Sequence, residues 1–164
     1  MTEECLEELA KEIVEEFKKK GLLLSTVESC TGGAVSAKIV DIPGASEVLM
    51  QGLVTYSNEA KHRLAGVRLD TLEKWGAVSE QTATEMAVGG NKSGGTDVCV
   101  STTGIAGPGG GTPLKPVGLV YIACDVKGKT TVRELNLSGS RMEVRIQTVG
   151  EALKLVKECV SSYA

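Results

Sequence analysis

The stretch L-L-L-S-T-V-E-S-C-T-G-G, residues 22–33, joins a short apolar run to a pair of glycines. The run at 22–27 is typical of a buried strand. Gly32 and Gly33 then open the segment A-V-S-A-K-I-V, which predicts a helix that ends near Asp41. Residues 28–33 therefore form a loop at a strand end, and they set a serine beside a cysteine.

The same alternation of helix and strand continues along the 164 residues. Helices are predicted over 2–20 with Gly21 as the C-cap, from Ser57 or Asn58 through Leu64, from a capping-box-like start at Asp70, from Ser79 to about Lys92, and after Gly139. Strands are predicted over 49–57, 96–103, 118–125 and 130–137, the last two as a hairpin. The order predicts one α/β domain, residues 1–164, with a mostly parallel sheet and at least one antiparallel strand.

The last helix carries a regular apolar pattern. Its apolar residues recur at spacings of four and three, which predicts one buried face: Met142, Ile146, Val149, Leu153, Val156 and Val160.

The overall composition narrows the classes of partner and compartment. The net charge of −3 argues against nucleic acid as the main partner, because phosphate binding needs a basic surface. No apolar run approaches the roughly 20 residues that span a bilayer, and no signal peptide follows Met1. The five cysteines are widely spaced and odd in number, so neither disulfides nor a zinc site is expected. These features favour a cytoplasmic protein with reduced thiols, in which Cys99 and Cys124 are core residues.

Three polar loops follow predicted strands, at 28–33, 56–61 and 103–113. Ligands bind beyond the carboxyl ends of parallel strands in such sheets, so one pocket lined by all three loops is expected.

The first of these loops offers two nucleophiles. Ser29 stands before a helix start, whose N–H groups would serve an oxyanion or a phosphate. Serine at such a position is also a common helix cap, and the spacing alone favours the cap. Cys30 has no evident partner imidazole and is better explained as a packed core thiol.

A serine nucleophile needs a base, and the chain has one histidine. His62 lies among charged residues, which indicates a solvated helix face. Lys61 can act as a base if burial lowers its pKa, although most lysines are on the surface. Tyr56, at a strand end, can relay a proton or hold a carbonyl, or can simply pack at the sheet edge.

Two further features suggest anion binding. The loop T-G-I-A-G-P-G-G-G-T-P, residues 103–113, could wrap an anion with backbone N–H groups, or could be a mobile surface loop. Arg141 and Arg145 lie four residues apart at the start of the last helix and could pair with phosphate, or could be exposed charges.

Seven short motifs follow one another along the chain: E-S-C-T-G-G (28–33), P-G-A-S (43–46), Y-S-N-E-A-K (56–61), G-A-V-S (76–79), T-G-I-A-G-P (103–108), G-G-T-P-x-K-P-V-G (110–118) and G-x-R-x-x-x-R (139–145). With these motifs the sequence closely resembles the CinA C-terminal domain family, the nicotinamide-nucleotide amidases, from about residue 3 to residue 160.

The resemblance implies a three-layer α/β/α sandwich with a mixed, mostly parallel sheet. It implies hydrolysis of nicotinamide mononucleotide to nicotinate mononucleotide and ammonia, without a metal or other cofactor. The family's nucleophile falls on Ser29, its base on Lys61 and its third catalytic member on Tyr56. The domain also occurs fused to an N-terminal nucleotide-processing domain, which these residues do not contain.

The remaining site residues are assigned by position. Backbone N–H groups of Cys30, Thr31, Gly32 and Gly33 are expected at the oxyanion, and Asn58 among the substrate contacts. The ribose phosphate is expected near Thr103, Gly104, Gly107, Gly110, Arg141 and Arg145.

Two rival functions remain open, a non-catalytic module that binds a pyridine nucleotide and a competence-associated interaction protein. A homo-oligomer is compatible with all three.

Overall fold

The computed structural model describes residues 1–163, which form five strands and six helices. The strands are β1 Leu24–Glu28, β2 Leu49–Val54, β3 Val98–Gly104, β4 Leu119–Val126 and β5 Lys129–Asn136. The helices are α1 Glu3–Lys20, α2 Ala34–Val40, α3 Asn58–Ala65, α4 Leu69–Trp75, α5 Glu80–Gly94 and α6 Arg141–Ser161, with a short 3₁₀ turn at Ala45–Glu47.

The five strands make one sheet in the order β2-β1-β3-β4-β5. Strand β1 pairs in parallel with both β2 and β3, whereas β4 is antiparallel to β3 and to β5. Four of the five strands consequently point in the same direction. The carboxyl ends of β1, β2 and β3 meet at one edge of the sheet.

Helices cover both faces of this sheet. Helices α1, α2 and α6 pack on one face, and α5 packs on the other with α3 and α4 against it. The larger core lies beneath α1, α2 and α6 and includes Phe17 and Leu153. The smaller core on the opposite face includes Val27 and Met86. The three-layer α/β/α sandwich with a mixed sheet is confirmed, and so is the burial of Cys99 and Cys124.

Local sequence explains where most elements begin and end. Ser57 and Ser79 cap α3 and α5 through their hydroxyl groups, as predicted. Gly21 ends α1 in the left-handed conformation that a residue without a Cβ adopts at low cost. Lys127 and Gly128 form the hairpin turn between β4 and β5. Both residues have positive φ, which a two-residue turn needs in order to match the right-handed twist of the two strands.

Two predictions about helices are wrong. Helix α4 has Arg68 as its N-cap, and Asp70 lies inside the first turn, where its carboxylate pairs with Arg68 instead of capping. In α6, Met142 and Ile146 are exposed although they continue the apolar pattern. In the first turns of α6 the buried side carries Val144 and Thr148, so Met142 and Ile146, which lie on another side of the helix, face solvent.

The strand boundaries also differ from the prediction, by up to three residues, and β3 starts at Val98 instead of Thr96. Strand β1 starts at Leu24, because Leu23 N–H donates to the Asp97 carboxylate instead of joining the strand pairing. Strand β2 ends at Val54, which leaves Thr55 and Tyr56 in the loop before α3. Within residues 1–163, no helix is both long and apolar enough to cross a bilayer.

Candidate active site

A cavity of about 200 Å³ lies where the three parallel strands end. Its lining comes from the loops after β1 and β2, from α3, from the end of β3 and the loop that follows it, from the loop before α5 and from the first residue of α6: Ser29, Cys30, Tyr56, Asn58, Lys61, Ala77, Val78, Thr103, Gly104, Ala106 and Arg141. The pocket expected from three strand-end loops is therefore present.

Ser29 and Lys61 meet at the floor of this cavity. Lys61 Nζ donates to the Ser29 hydroxyl oxygen over 3.0 Å and to the Thr55 carbonyl oxygen over 2.8 Å. Ser29 is anchored in turn, because its N–H donates to the Thr102 carbonyl of β3 over 2.9 Å. Two residues that are 32 apart in sequence are thus held in hydrogen-bond contact, one from the loop after β1 and the other from α3.

Burial changes the chemistry of this lysine. The Lys61 side chain is 2% exposed, and desolvation lowers its pKa from 10.5 to about 8. A meaningful fraction of Lys61 is then neutral near neutral pH, and a neutral amine can accept the hydroxyl proton of Ser29. The prediction of a surface lysine, which was the alternative for this residue, is wrong.

The neighbouring candidates have surroundings that suit other roles. Burial raises the pKa of the Cys30 thiol to about 11, so the reactive thiolate is rare at neutral pH. His62 is on the exposed side of α3, and its Nδ1 lies 2.7 Å from the Val67 carbonyl oxygen. The solvated face predicted for His62 is confirmed.

The start of α2 differs from the prediction. Gly33, with φ of 97°, is the N-cap residue of this helix, so the expectation that Ser29 is a helix cap is wrong. The first free N–H groups of the helix, from Val35 and Ser36, donate to the two carboxylate oxygens of Glu28 over 2.8 and 3.0 Å. The helix N-terminus therefore holds a protein carboxylate and does not offer these groups to an oxyanion or a phosphate.

The loop before α2 retains donors of its own. Within residues 1–163, the N–H of Ser29 donates to the Thr102 carbonyl of β3, and those of Gly32 and Ala34 donate to carbonyl oxygens inside the loop. The N–H groups of Cys30, Thr31 and Gly33 make no backbone hydrogen bond in this part of the chain. Of these three residues, Cys30 lines the cavity. Its N–H is therefore the candidate donor for an oxyanion beside Ser29.

Tyr56 and Arg141 form the rim of the cavity. The Tyr56 side chain is 64% exposed, and its hydroxyl accepts a hydrogen bond from Arg141 Nη2 over 3.0 Å. Arg141 Nη1 donates to the Gly107 carbonyl over 2.8 Å. The Tyr56 hydroxyl thus points to Arg141 and is not joined to the Ser29–Lys61 pair by a hydrogen bond in the described chain.

The other assigned residues divide into two groups. Thr103, Gly104 and Asn58 line the cavity, and the Thr103 hydroxyl donates to the Ala77 carbonyl over 2.7 Å. Six assigned residues do not line it: Thr31, Gly32, Gly33, Gly107, Gly110 and Arg145.

Arg145 contacts the 29–33 loop instead of facing the cavity. Its Nε and Nη2 donate to the carbonyl oxygens of Cys30 and Thr31 over 3.1 and 2.9 Å. These bonds hold the loop from outside, which is a different use of the guanidinium from the phosphate contact predicted for it.

Sequence reasoning assigns no individual role to four residues of this region. One is Glu28, within E-S-C-T-G-G, and the others are Ala77, Val78 and Ala106, which form an apolar part of the wall. The motif G-A-V-S at 76–79 was a usable signal for two of them, because its residues are small and follow a helix. No pattern in the sequence indicates that Glu28 turns inward.

A larger cleft of about 620 Å³ lies between α1 and α6, and its lining includes Met1, Glu8 and Lys154. It contains none of the assigned site residues. Within residues 1–163, no group of three or more His, Cys, Asp and Glu side chains is arranged to hold a metal ion.

The fold and the site together define an α/β/α protein with a buried serine–lysine pair at the carboxyl ends of parallel strands. The model of the CinA C-terminal domain matches residues 6–160, and the chain belongs to this family.

Named relatives and solved structures agree with this membership. A CinA-like protein of Kosmotoga olearia is 53% identical over 158 residues, which are 96% of this chain and 38% of that protein. A putative competence-damage inducible protein of Clostridium acetobutylicum is 52% identical over 85% of this chain and 34% of its own length. The chain thus spans little more than a third of these relatives.

Among solved structures, the competence/damage inducible protein CihA of Agrobacterium tumefaciens matches with a TM-score of 0.93 and 42% identity, over 96% of each chain. A CinA superfamily protein of Klebsiella pneumoniae matches with a TM-score of 0.93 and 31% identity, over 96% of this chain and 99% of its own.

Proposed function

We propose that this chain is a metal-independent serine amidase that hydrolyses the carboxamide of nicotinamide mononucleotide. The observation that carries the proposal is the contact of 3.0 Å between the Ser29 hydroxyl and a lysine whose pKa burial lowers to about 8. A serine beside a desolvated amine is the arrangement that activates a hydroxyl without histidine. The substrate comes from the family resemblance that the seven motifs carry.

The first half of the reaction forms an acyl-enzyme. Ser29 Oγ attacks the amide carbon while neutral Lys61 takes the hydroxyl proton, and the carbonyl oxygen becomes an oxyanion. The Cys30 N–H stabilises that oxyanion. The intermediate then collapses: the carbon–nitrogen bond breaks, Lys61 returns the proton to the leaving nitrogen, and ammonia departs.

The second half regenerates the serine. Water attacks the ester carbon and gives its proton to Lys61. Collapse of the second intermediate breaks the bond to Ser29, and Lys61 returns the proton to the serine oxygen. The carboxylic acid product, nicotinate mononucleotide, leaves in its ionised form. The Thr55 carbonyl, 2.8 Å from Nζ, keeps the amine aimed at Ser29 throughout.

The cavity's dimensions support an amide as the group that enters it. Its volume of about 200 Å³ is below the roughly 300–1,000 Å³ of pockets that enclose a whole drug-sized ligand. The pyridine carboxamide enters between Ser29 and the apolar wall of Ala77 and Val78. The ribose phosphate then lies at the rim, where Arg141 supplies a positive charge and Asn58 a polar side chain.

Ammonia release from nicotinamide mononucleotide tests the proposal, with the Ser29→Ala variant as the matched control. We expect release by the wild type and a loss of at least about 1,000-fold in the variant. A variant that keeps the wild-type rate contradicts the serine mechanism. Absence of release, with nicotinamide mononucleotide still raising the melting temperature, favours the non-catalytic binding module.

A further inference from the structure

Glu28, the last residue of β1, has a buried carboxylate that the proposed reaction does not use. Its side chain is 1% exposed. Oε1 accepts from the Thr31 hydroxyl over 2.6 Å and from the Val35 N–H over 2.8 Å. Oε2 accepts from the N–H and the hydroxyl of Ser36 over 3.0 and 3.1 Å. The Thr26 hydroxyl also donates to Oε2, over 3.4 Å. These donors are all uncharged, so the start of α2 and three hydroxyl groups satisfy the buried carboxylate.

Thr31 connects this carboxylate to the segment that carries Ser29. Its hydroxyl gives its one proton to Glu28, so in its 2.8 Å contact with the Thr102 hydroxyl it is the acceptor. Thr102 also accepts the Ser29 N–H through its carbonyl oxygen over 2.9 Å. The loop that carries Ser29 is therefore held on its buried side by Glu28, Thr31 and Thr102. The Thr31 side chain is fully buried at this place.

We propose that Glu28 is a positioning residue for the nucleophile: through Thr31 it fixes the 29–33 loop so that Ser29 Oγ faces Lys61 and the Cys30 N–H faces the oxyanion. This inference rests on the proposed function. A carboxylate is needed because each of its two oxygens receives one backbone N–H of α2 and at least one hydroxyl.

The isosteric variant Glu28→Gln tests the need for two accepting oxygens. Whichever way the amide turns, its NH₂ group must face the N–H of either Val35 or Ser36, and two donors cannot bond to each other. We expect kcat to fall by roughly 100-fold, as a displacement of about 1 Å in a reacting group can cause, while KM changes by less than about twofold.

A pair of variants at Thr31 separates positioning from a simple role in stability. Thr31→Val removes the hydroxyl that joins Glu28 to Thr102 and leaves the bonds to the helix in place. Thr31→Ser keeps the hydroxyl. We expect kcat to fall about tenfold in the valine variant and the serine variant to recover most of that loss, with similar melting temperatures in both. Equal rates in the two variants overturn the proposal.

The pH profile gives a second discrimination. Lys61 owes its lowered pKa to desolvation, so Glu28→Gln should leave the midpoint of the profile in place. If Glu28 acted instead as a direct counter-charge to Lys61, Glu28→Gln would move the midpoint to lower pH. That shift overturns positioning through Thr31.

Labelling of Ser29 by a fluorophosphonate probe makes the test independent of the amide substrate. The serine oxygen bonds to phosphorus, fluoride leaves, and Lys61 takes the hydroxyl proton. We expect slower labelling of Thr31→Val than of Thr31→Ser. Wild-type labelling without ammonia release refutes the proposed substrate and leaves positioning supported if the two variants differ. A wild-type protein that neither labels nor hydrolyses overturns both proposals.

Discussion

The floor and the rim of the cavity are built from the same strand ends but have opposite environments. At the floor, Ser29 and Lys61 are 8% and 2% exposed and bond to each other. At the rim, Tyr56 is 64% exposed, and Arg141 is also exposed. Removal from water changes the acid–base chemistry of a group, whereas a hydrogen bond at the surface contributes only about 1 kcal/mol. The floor is therefore expected to carry the reaction, and the rim to adjust the fit of the ligand.

The support behind the two regions differs in the same way. The 29–33 loop is held from inside by Glu28 and from outside by Arg145. The rim depends on one guanidinium that joins Tyr56 to the Gly107 carbonyl. Since a nucleophile needs a fixed direction of attack and a ligand phosphate tolerates more variation, this difference matches the division of roles.

The largest expected effect is on the floor. Lys61→Met should lower the rate of amide hydrolysis at least about 1,000-fold, because the Ser29 proton then has no acceptor. Initial rates of ammonia release measure this loss. The matched control is His62→Asn on the exposed side of the same helix, for which we expect a rate within about twofold of the wild type. A large loss in the histidine variant would place the base elsewhere.

Lys61→Met should increase the stability of the fold although it lowers the rate. The folded-state pKa of Lys61 lies below its unfolded value, so between about pH 8 and pH 10.5 the unfolded chain binds more protons. Wild-type stability should consequently rise with pH through this range, by roughly 2 to 3 kcal/mol relative to Lys61→Met. Urea unfolding of both proteins at pH 7 and pH 10 measures the difference. If the difference in unfolding free energy between the two proteins is the same at both pH values, the lowered pKa of Lys61 is contradicted.

A smaller effect is expected from pH on the wild-type rate. Only the neutral form of Lys61 accepts a proton, and at pH 7 a group of pKa about 8 is neutral in roughly one molecule in eleven. The rate should rise about tenfold from pH 7 to a plateau above pH 9. A profile of kcat/KM measures this, and a midpoint near the ordinary lysine value of about 10.4 argues against a desolvated base.

The smallest effect should come from the rim. Tyr56→Phe removes one exposed hydrogen bond to Arg141, so we expect a loss of about fivefold, mainly in KM. Kinetics with nicotinamide mononucleotide measure it. The family resemblance makes Tyr56 the third catalytic member, and a loss near that of Lys61→Met would show that the residue moves to the floor when substrate binds. That result would break the distinction between the two regions.

Sequence alone determined the class of fold and the place of the site. Apolar runs of strand length, helical spacing and serine caps depend on neighbouring residues, so the order of elements and the caps at Ser57 and Ser79 could be predicted. Ordered motifs then pointed to Ser29 and Lys61. Since strand ends of a parallel sheet share one edge, their convergence followed from the fold class.

The tertiary structure alone decided the environment of each residue. Lys61 lies among charged residues in the sequence, which is typical of a surface position, yet its side chain is buried at the floor of the cavity. Met142 and Ile146 continue an apolar pattern, yet the buried side of the helix at this point carries Val144 and Thr148, and the two residues are exposed. Glu28 and Arg145 hold the 29–33 loop and the start of α2 through hydrogen bonds between different elements. Burial and long-range hydrogen bonds depend on what packs above a residue, and spacing along the chain does not contain that information.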